Sequence, residues 1–270
     1  MTVCSLHNHT NFCDGVQTPE EMARTALEAG CRVFGISEHS PAPWDPEAGM
    51  EPARVPEYRR RMEALKAEYA GRMEICCGIE QDIFSPAAGE GWDYVIGSVH
   101  YVPAGQGYRA VDLSREDFAR TVSECFGGDA LAFAESYYRQ VSQIVTLTDC
   151  EIIGHFDLIT KFNEDHAFFD PADPRYLRAV RQALDALTPA GRIFEINSGA
   201  MSRGYRKAPY PEPWILRELR DRDARILLSS DAHSRGNILY GFGQMQALAK
   251  ECGFEKLTVL HDGAWTEEKL

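Results

Sequence analysis

A closed barrel of parallel strands wrapped by helices, in the α/β class, is the fold predicted by this 270-residue sequence. Short apolar or β-branched runs alternate with longer stretches of helical spacing about seven times, the signature of repeated βα units. Most of those runs also end in a histidine or an acid, and strand ends gather at one face of such a barrel. Barrel folds run as one domain at roughly 200–250 residues or more, so a single domain over residues 1–270 is expected.

The units follow in order. Val3 to His7 reads as the first strand; Thr18-Pro19-Glu20-Glu21 then supplies an N-cap, a first-turn proline and a capping-box glutamate, and Gly30 ends the helix. Arg32 to Ser37 is strand two, followed by a loop with Pro41, Pro43, Pro46 and Pro52 and a helix over Glu57 to Tyr69. Met73 to Glu80 and Asp93 to His100 are strands three and four. Ser114 with Asp117 caps one helix, and Ala130 to Leu147 forms a longer one before strand five, Cys150 to His155. A helix over Arg175 to Leu187 closes at Gly191. Strand six is Arg192 to Asn197, a helix spans Trp214 to Arg222, and strand seven is Arg225 to Ser230. A helix from Leu239 to Cys252 and a strand at Leu257 to Leu260 end the chain. No repeat or linker divides it.

Composition narrows the function classes. Hydrophobic content of 44% with 26% charged residues is ordinary for a globular protein, and no run is long enough to cross a bilayer, so no membrane partner is expected. The N-terminus lacks a basic region and a long apolar stretch, so no signal peptide is expected and a cytoplasmic location follows. A formal charge of −13 without a basic helix or tail disfavours nucleic acid. The eight cysteines, at 4, 13, 31, 76, 77, 125, 150 and 252, are read as reduced thiols; Cys4, Cys76, Cys77 and Cys150 lie in strand-like runs.

Nine residues at or just past the strand ends are candidate metal ligands: His7, His9, Asp14, His39, Glu80, His100, His155, Asp231 and His233. Six of the chain's eight histidines are among them. Imidazole with carboxylate suits zinc, manganese or iron, and no cysteine pair has the spacing of a closed structural zinc site. His7-Asn8-His9 places both rings on one side of an extended segment, and Asp231-Ala232-His233 repeats that spacing, which an isolated pair would not make significant. Strand six instead offers Glu195 and Asn197, for a role behind the ligands or toward substrate. His166 and His261 are read as surface or structural groups, and Asp82, Asp93 and Asp157 equally as ligand-orienting or structural. Glu38, next to His39, is expected to face solvent or to stand behind the ligands.

Taken in order, Leu6-His7-Asn8-His9 with Asp14-Gly15, Ser37-Glu38-His39, Gly78-Ile79-Glu80, Gly97-Ser98-Val99-His100, Gly154-His155-Phe156-Asp157 and Ser230-Asp231-Ala232-His233 resembles the polymerase and histidinol phosphatase (PHP) superfamily over nearly the whole chain. Within it the chain looks most like the stand-alone histidinol-phosphate phosphatases of histidine biosynthesis. The resemblance implies a distorted (β/α)7 barrel holding three divalent ions. It places His7, His9, Glu80 and Asp231 on one ion, Glu80, His100 and His155 on a second, and Asp14, His39 and His233 on a third. Two positions depart from the family pattern, Ser5 and Glu38 standing where relatives commonly have aspartate.

Three divalent ions add about +6 and the carboxylates of Asp14, Glu80 and Asp231 about −3, which leaves a cationic site for a phosphate dianion. The resulting expectation is hydrolysis of a small phosphorylated metabolite, L-histidinol phosphate first, by in-line attack of a metal-activated hydroxide. His7, His9, Glu80, Asp231 and His233 form the catalytic set, and Arg203, then Arg206, Lys207 and Lys161, are the candidate phosphate donors. Alternatives are a broader PHP-type phosphoesterase acting on nucleotides or sugar phosphates, a non-catalytic PHP-like binding module, and an amidohydrolase-type enzyme. Nothing in the sequence sets an oligomeric state.

Overall fold

The computed structural model describes residues 2–270; Met1, where the expected domain and N-terminal segment begin, lies outside the described residues. The chain opens with β1 (Cys4–Ser5), α1 (Pro19–Glu28), β2 (Val33–His39), α2 (Val55–Tyr69), β3 (Glu74–Asp82) and β4 (Tyr94–Ser98). A hairpin comes next, β5 (Tyr101–Ala104) with β6 (Gly107–Ala110), then α3 (Arg115–Cys125), α4 (Ala130–Val141), α5 (Ile144–Leu147) and β7 (Ile152–Ile153). The remainder is α6 (Pro174–Leu187), β8 (Ile193–Asn197), α7 (Gly199–Ser202), α8 (Pro213–Asp221), β9 (Arg225–Ser229), α9 (Phe242–Glu251), β10 (Lys256–His261) and β11 (Ala264–Lys269). Among the described residues no helix is long and apolar enough to cross a membrane.

β1, β2, β3, β4, β7, β8 and β9 lie side by side in that order, every neighbouring pair parallel. A parallel bridge between Asn8 and Ala232, with the His9 amide donating to the Ala232 carbonyl at 2.9 Å, nearly closes the ring from β9 back to β1. The result is the expected distorted (β/α)7 barrel, irregular because β1 and β7 contribute two residues each. Its lumen is a packed core, not a channel: Leu6, Val33, Cys76, Tyr94, Ile96, Ile152, Ile193 and Leu227 form one buried cluster with Leu260 of β10. Further clusters fill the layer between strands and helices.

Side chains two apart on a strand share a face, so each lumen residue sets the direction of the side chains further along its strand. Val33 on β2 fixes His39 as inward, Cys76 on β3 fixes Glu80, and Ile193 on β8 fixes Glu195 and Asn197. The polar strand ends therefore close the barrel mouth above the apolar lumen.

Several elements differ from expectation, among them the short helix α7, for which the sequence predicts nothing. The β5–β6 hairpin occupies a stretch for which the sequence predicts no structure, because its four-residue strands are mostly exposed on β6 and interrupted by Pro103 on β5, leaving no apolar alternation. The single helix expected over Ala130 to Leu147 breaks at Ser142–Gln143, where the Ser142 hydroxyl and the Gln143 side-chain amide both donate to the Arg139 carbonyl and offer the backbone an alternative to the helix. The final strand is half of a hairpin with β11. Its turn, Asp262-Gly263, has φ of 48° and 69°, and that dipeptide is a strong hairpin signal which the sequence reading passed over.

Candidate metal centre

At the mouth of the barrel Glu80 is the hub. Register pairs His39 directly with Glu80 across β2 and β3. Oε2 of Glu80 lies 3.1 Å from His7 Nε2, 3.5 Å from His9 Nε2 and 2.9 Å from His39 Nδ1, while Oε1 lies 3.3 Å from His100 Nε2 and 2.9 Å from His155 Nε2. Asp231 Oδ1 faces His9 Nε2 at 3.3 Å and His7 Nε2 at 3.8 Å. Asp14 completes the third side, 3.1 Å from His233 Nε2 and 3.7 Å from His39 Nε2. All nine predicted ligand candidates are thus brought together, in overlapping groups any of which has the spacing to hold an ion.

The donor set fits divalent ions. Separations of 2.9–3.8 Å between these donors are the edges expected of a polyhedron whose metal–ligand bonds are about 2.0–2.2 Å long. His7 Nε2, His9 Nε2 and Glu80 Oε2 are buried with no aligned hydrogen bond, an arrangement a fold keeps when a ligand satisfies the group. Burial opposes charge on His7, His39 and His100, yet the surrounding carboxylates outweigh it and hold these rings above the usual histidine range. Glu80 and Asp231 are held well below the carboxylate range against the effect of burial, Glu80 by His7, His39 and His100, and Asp231 by Arg203 and His7. Burial and the flanking His233 and His39 push His9 down to about 3.

The rings are oriented from behind. His7 Nδ1 donates to Glu195 Oε2 at 2.8 Å, and the other oxygen of Glu195 accepts from the His155 amide (2.6 Å) and the Asn197 side chain (2.8 Å), so one carboxylate from β8 steadies both sides of the cluster. Asp82 Oδ2 lies 3.5 Å from His100 Nδ1 and accepts from the His100 amide at 2.8 Å. Arg203 Nη1 donates to His233 Nδ1 at 2.8 Å and to the Asp231 carbonyl at 3.3 Å. Asp231 itself has φ of 48°, a left-handed conformation that bends the chain sharply off β9. Its carboxylate and the Arg203 guanidinium pass so close to Gly199 that a Cβ there would meet Asp231 Oδ2 at 2.4 Å and Arg203 Nη2 at 2.9 Å.

A cavity of about 320 Å³ opens over the cluster, lined by Asp14, His39, Glu80, His100, His155, Asp231 and His233. Arg203 and Lys161 reach it as expected. Arg203 donates to Asp231 Oδ2 at 3.2 Å and leaves its Nε unpartnered; Lys161 donates to the Asp112 carbonyl at 2.7 Å and pairs with its carboxylate at 3.1 Å. Arg206 does not reach the cavity: it is buried against Thr160, Glu212 and Asp157 and lies over the Tyr210 ring, 5.0 Å from its centroid. Lys207 is exposed. Of the three aspartates beside the motifs, Asp82 accepts from the His100 amide, Asp93 accepts from the Cys77 amide of β3, and Asp157 faces Arg206, burial pushing it up to about 7. Glu38 is fully buried, not solvent-facing, and burial pushes it up to about 7. The sequence reading did not single out Asp45, Tyr101, Asp112 or Tyr205 of the cavity wall, nor Cys13 against His9; two of them sit on or just after the unforeseen hairpin.

Comparison with known proteins agrees with this geometry. The family model described as PHP domain matches residues 5–199. A Deinococcus radiodurans protein named as a probable histidinol-phosphatase is 31% identical over 96% of this chain and 97% of its own. The histidinol-phosphatase of Bacillus subtilis is 28% identical over 91% and 98% respectively. Among solved structures, histidinol phosphate phosphatase from Lactococcus lactis, complexed with zinc, L-histidinol and phosphate, superposes with a TM-score of 0.72 at 18% identity, over 98% of this chain and 99% of that one.

Proposed function

The chain belongs to the PHP family, and on that basis we propose that this histidinol-phosphatase-like hydrolase converts L-histidinol phosphate into L-histidinol and inorganic phosphate. The observation that carries the proposal is the convergence of Glu80 and eight further nitrogen- or oxygen-donor residues at the floor of a cavity large enough for a small metabolite. In this reading His7, His9, Glu80 and Asp231 hold one ion, Glu80 with His100 and His155 a second, and Asp14, His39 and His233 a third. The ring of His39 stands between Asp14 and Glu80 and has a nitrogen toward each, so it is the ligand with two possible neighbours. Zinc is the metal of the lactococcal relative; manganese and iron suit the same donors. When bound, such ions activate water and neutralise the phosphoryl oxygens.

The chain's own groups supply the rest. Arg203 spans Asp231 and His233 and lines the cavity, where a planar guanidinium can meet phosphate oxygens. Lys161, held by Asp112 and 5.1 Å from the centre of the Tyr205 ring, adds a second cation to the lining. Beyond the ligands the wall carries Asp45, Asp82 and Asp112 with Tyr101, acceptors and an aromatic face suited to an alcohol that bears an ammonium and an imidazole. An uncharged sugar or a nucleobase gains less from such a lining.

A panel of phosphomonoesters with the metal-loaded enzyme tests this. Polar groups that pair with substrate reject analogues lacking them by large factors, so kcat/KM for L-histidinol phosphate should exceed that for glycerol phosphate, sugar phosphates and nucleotides by at least about tenfold. Equal turnover across the panel would assign the chain to broad phosphoesterases, and no phosphate release from any member would favour a binding module.

A further inference from the structure

A histidine that turns one ring nitrogen toward a metal has its orientation fixed through the other. Carboxylates do this for His7 and His100. His9 is held differently. Its Nε2 faces Asp231 and Glu80, and its Nδ1 lies 3.5 Å from the sulfur of Cys13. That thiol is 2.7 Å from Glu38 Oε2, with Asp14 Oδ1 the more distant acceptor at 3.3 Å. Glu38 is fully buried; it accepts from the Thr10 amide at 3.2 Å and from the Thr10 hydroxyl, and among the described residues no lysine or arginine pairs with it.

The local backbone is shaped for this contact. The amides of Cys13 and Gly15 both donate to the Thr10 carbonyl, at 3.2 and 2.9 Å. A Cβ on Gly15 would lie 2.5 Å from the Thr10 nitrogen and 2.6 Å from the His9 carbonyl oxygen, so the turn closes tightly on the segment that carries His9. It returns Cys13 to the ring four residues behind it. A buried carboxylate is costly unless it is bonded and offset by positive charge. Here the sulfur links it to an imidazole that faces the ions.

We propose that Cys13 is a positioning residue: its sulfur accepts the Nδ1–H of His9 and its S–H is donated to Glu38, so that a carboxylate orients a metal-facing imidazole through one thiol. The inference rests on the reading of His9 as a ligand but not on the identity of the substrate. The interaction is a chain of two hydrogen bonds, from the imidazole to the sulfur and from the sulfur to the carboxyl group, and bonds in such a chain polarise one another. It gives the buried Glu38 a defined partner.

Zinc titration against a chromophoric chelator tests the relay on the wild type, Cys13→Ala, Cys13→Ser, Glu38→Gln and the Cys13→Ala/Glu38→Gln double variant. Loss of an orienting partner behind a ligand weakens metal binding by about 10–100-fold, so Cys13→Ala should weaken one zinc site by about tenfold or more. Cys13→Ser should recover most of that loss, and the double variant should bind no more weakly than Cys13→Ala, because both changes interrupt one path. Wild-type affinity in Cys13→Ala, or additive losses in the double variant, would overturn the relay. So would a thiolate-to-cobalt charge-transfer band in the cobalt-loaded wild type, which would make Cys13 a ligand itself. Should Cys13→Ala fail to fold, Cys13→Ser and Glu38→Gln carry the same comparison. The substrate reading fails or stands on wild-type turnover alone, so the two failures are separable.

Discussion

Glu195 shows how a single side chain decides a site without touching what the site binds. It is buried, accepts from His7 Nδ1 and the His155 amide, and against the effect of burial is held by His7 and His155 below the usual carboxylate range. Glu195→Ala should leave the fold intact and lower zinc affinity by about 10–100-fold, read by chelator competition; unchanged affinity would deny it an orienting role. Arg203 acts on the other side of the same cluster. Hydrogen bonds to charged groups contribute about 1.5–3 kcal/mol, so Arg203→Ala should reduce kcat/KM for a phosphomonoester roughly 10- to 100-fold and weaken inhibition by inorganic phosphate in parallel. Unaltered phosphate inhibition would mean that Arg203 serves Asp231 alone. The nine donors were legible in the sequence because most lie at or just past the end of an apolar run, and strand ends meet at one face. The phosphate donors were harder to read: Arg203 and Arg206 stand in the same basic loop, and only tertiary pairing with Thr160, Asp157 and Glu212 takes Arg206 away from the cavity.

At the scale of elements, helices are tied to one another on the outside of the barrel by polar bridges as well as by packing. Arg175, in the first turn of α6, donates two hydrogen bonds to Glu135 on α4 (3.0 and 2.8 Å) and one to Asp129 (2.9 Å), the N-cap of that helix. Its hydrogen bonds hold both carboxyls below their ordinary range. A depressed folded-state pKa contributes stability that is complete above the unfolded value and is lost as pH falls through the folded one. The difference in Tm between the wild type and Arg175→Met should therefore stay constant near neutrality and narrow below about pH 4.5. A gap that widens in acid would contradict the bridge. Helix boundaries with side-chain caps, such as Thr18 and Ser114, were readable from sequence because the cap chemistry is local. The β5–β6 hairpin was not, since its strands are short and β6 is exposed, and with it went Tyr101 and Asp112 of the cavity wall.

The whole molecule divides its work by height along the barrel. Apolar residues fill the lumen and polar strand ends cover it, so the charged cluster rests on a rigid floor while the hairpin and the loops around Asp45 and Tyr205 shape the space above. The barrel was legible because the alternation of strand and helix persists over seven units; its distortion, seen in the two-residue strands β1 and β7, was implied by the family resemblance and not by the alternation itself. Ions bound to the folded chain alone stabilise it by about 2.7 kcal/mol at a hundredfold excess over Kd, so chelation should lower Tm by roughly 5–10 °C and abolish phosphate release. Reloading with zinc should restore both. Whether the nine strand-end residues form one multinuclear centre can be decided by anomalous diffraction at the zinc edge from crystals of the zinc-loaded protein. Three peaks within bonding distance of the nine side chains, with Glu80 shared between two of them, are predicted; a single peak, or zinc bound away from Glu80, would contradict it.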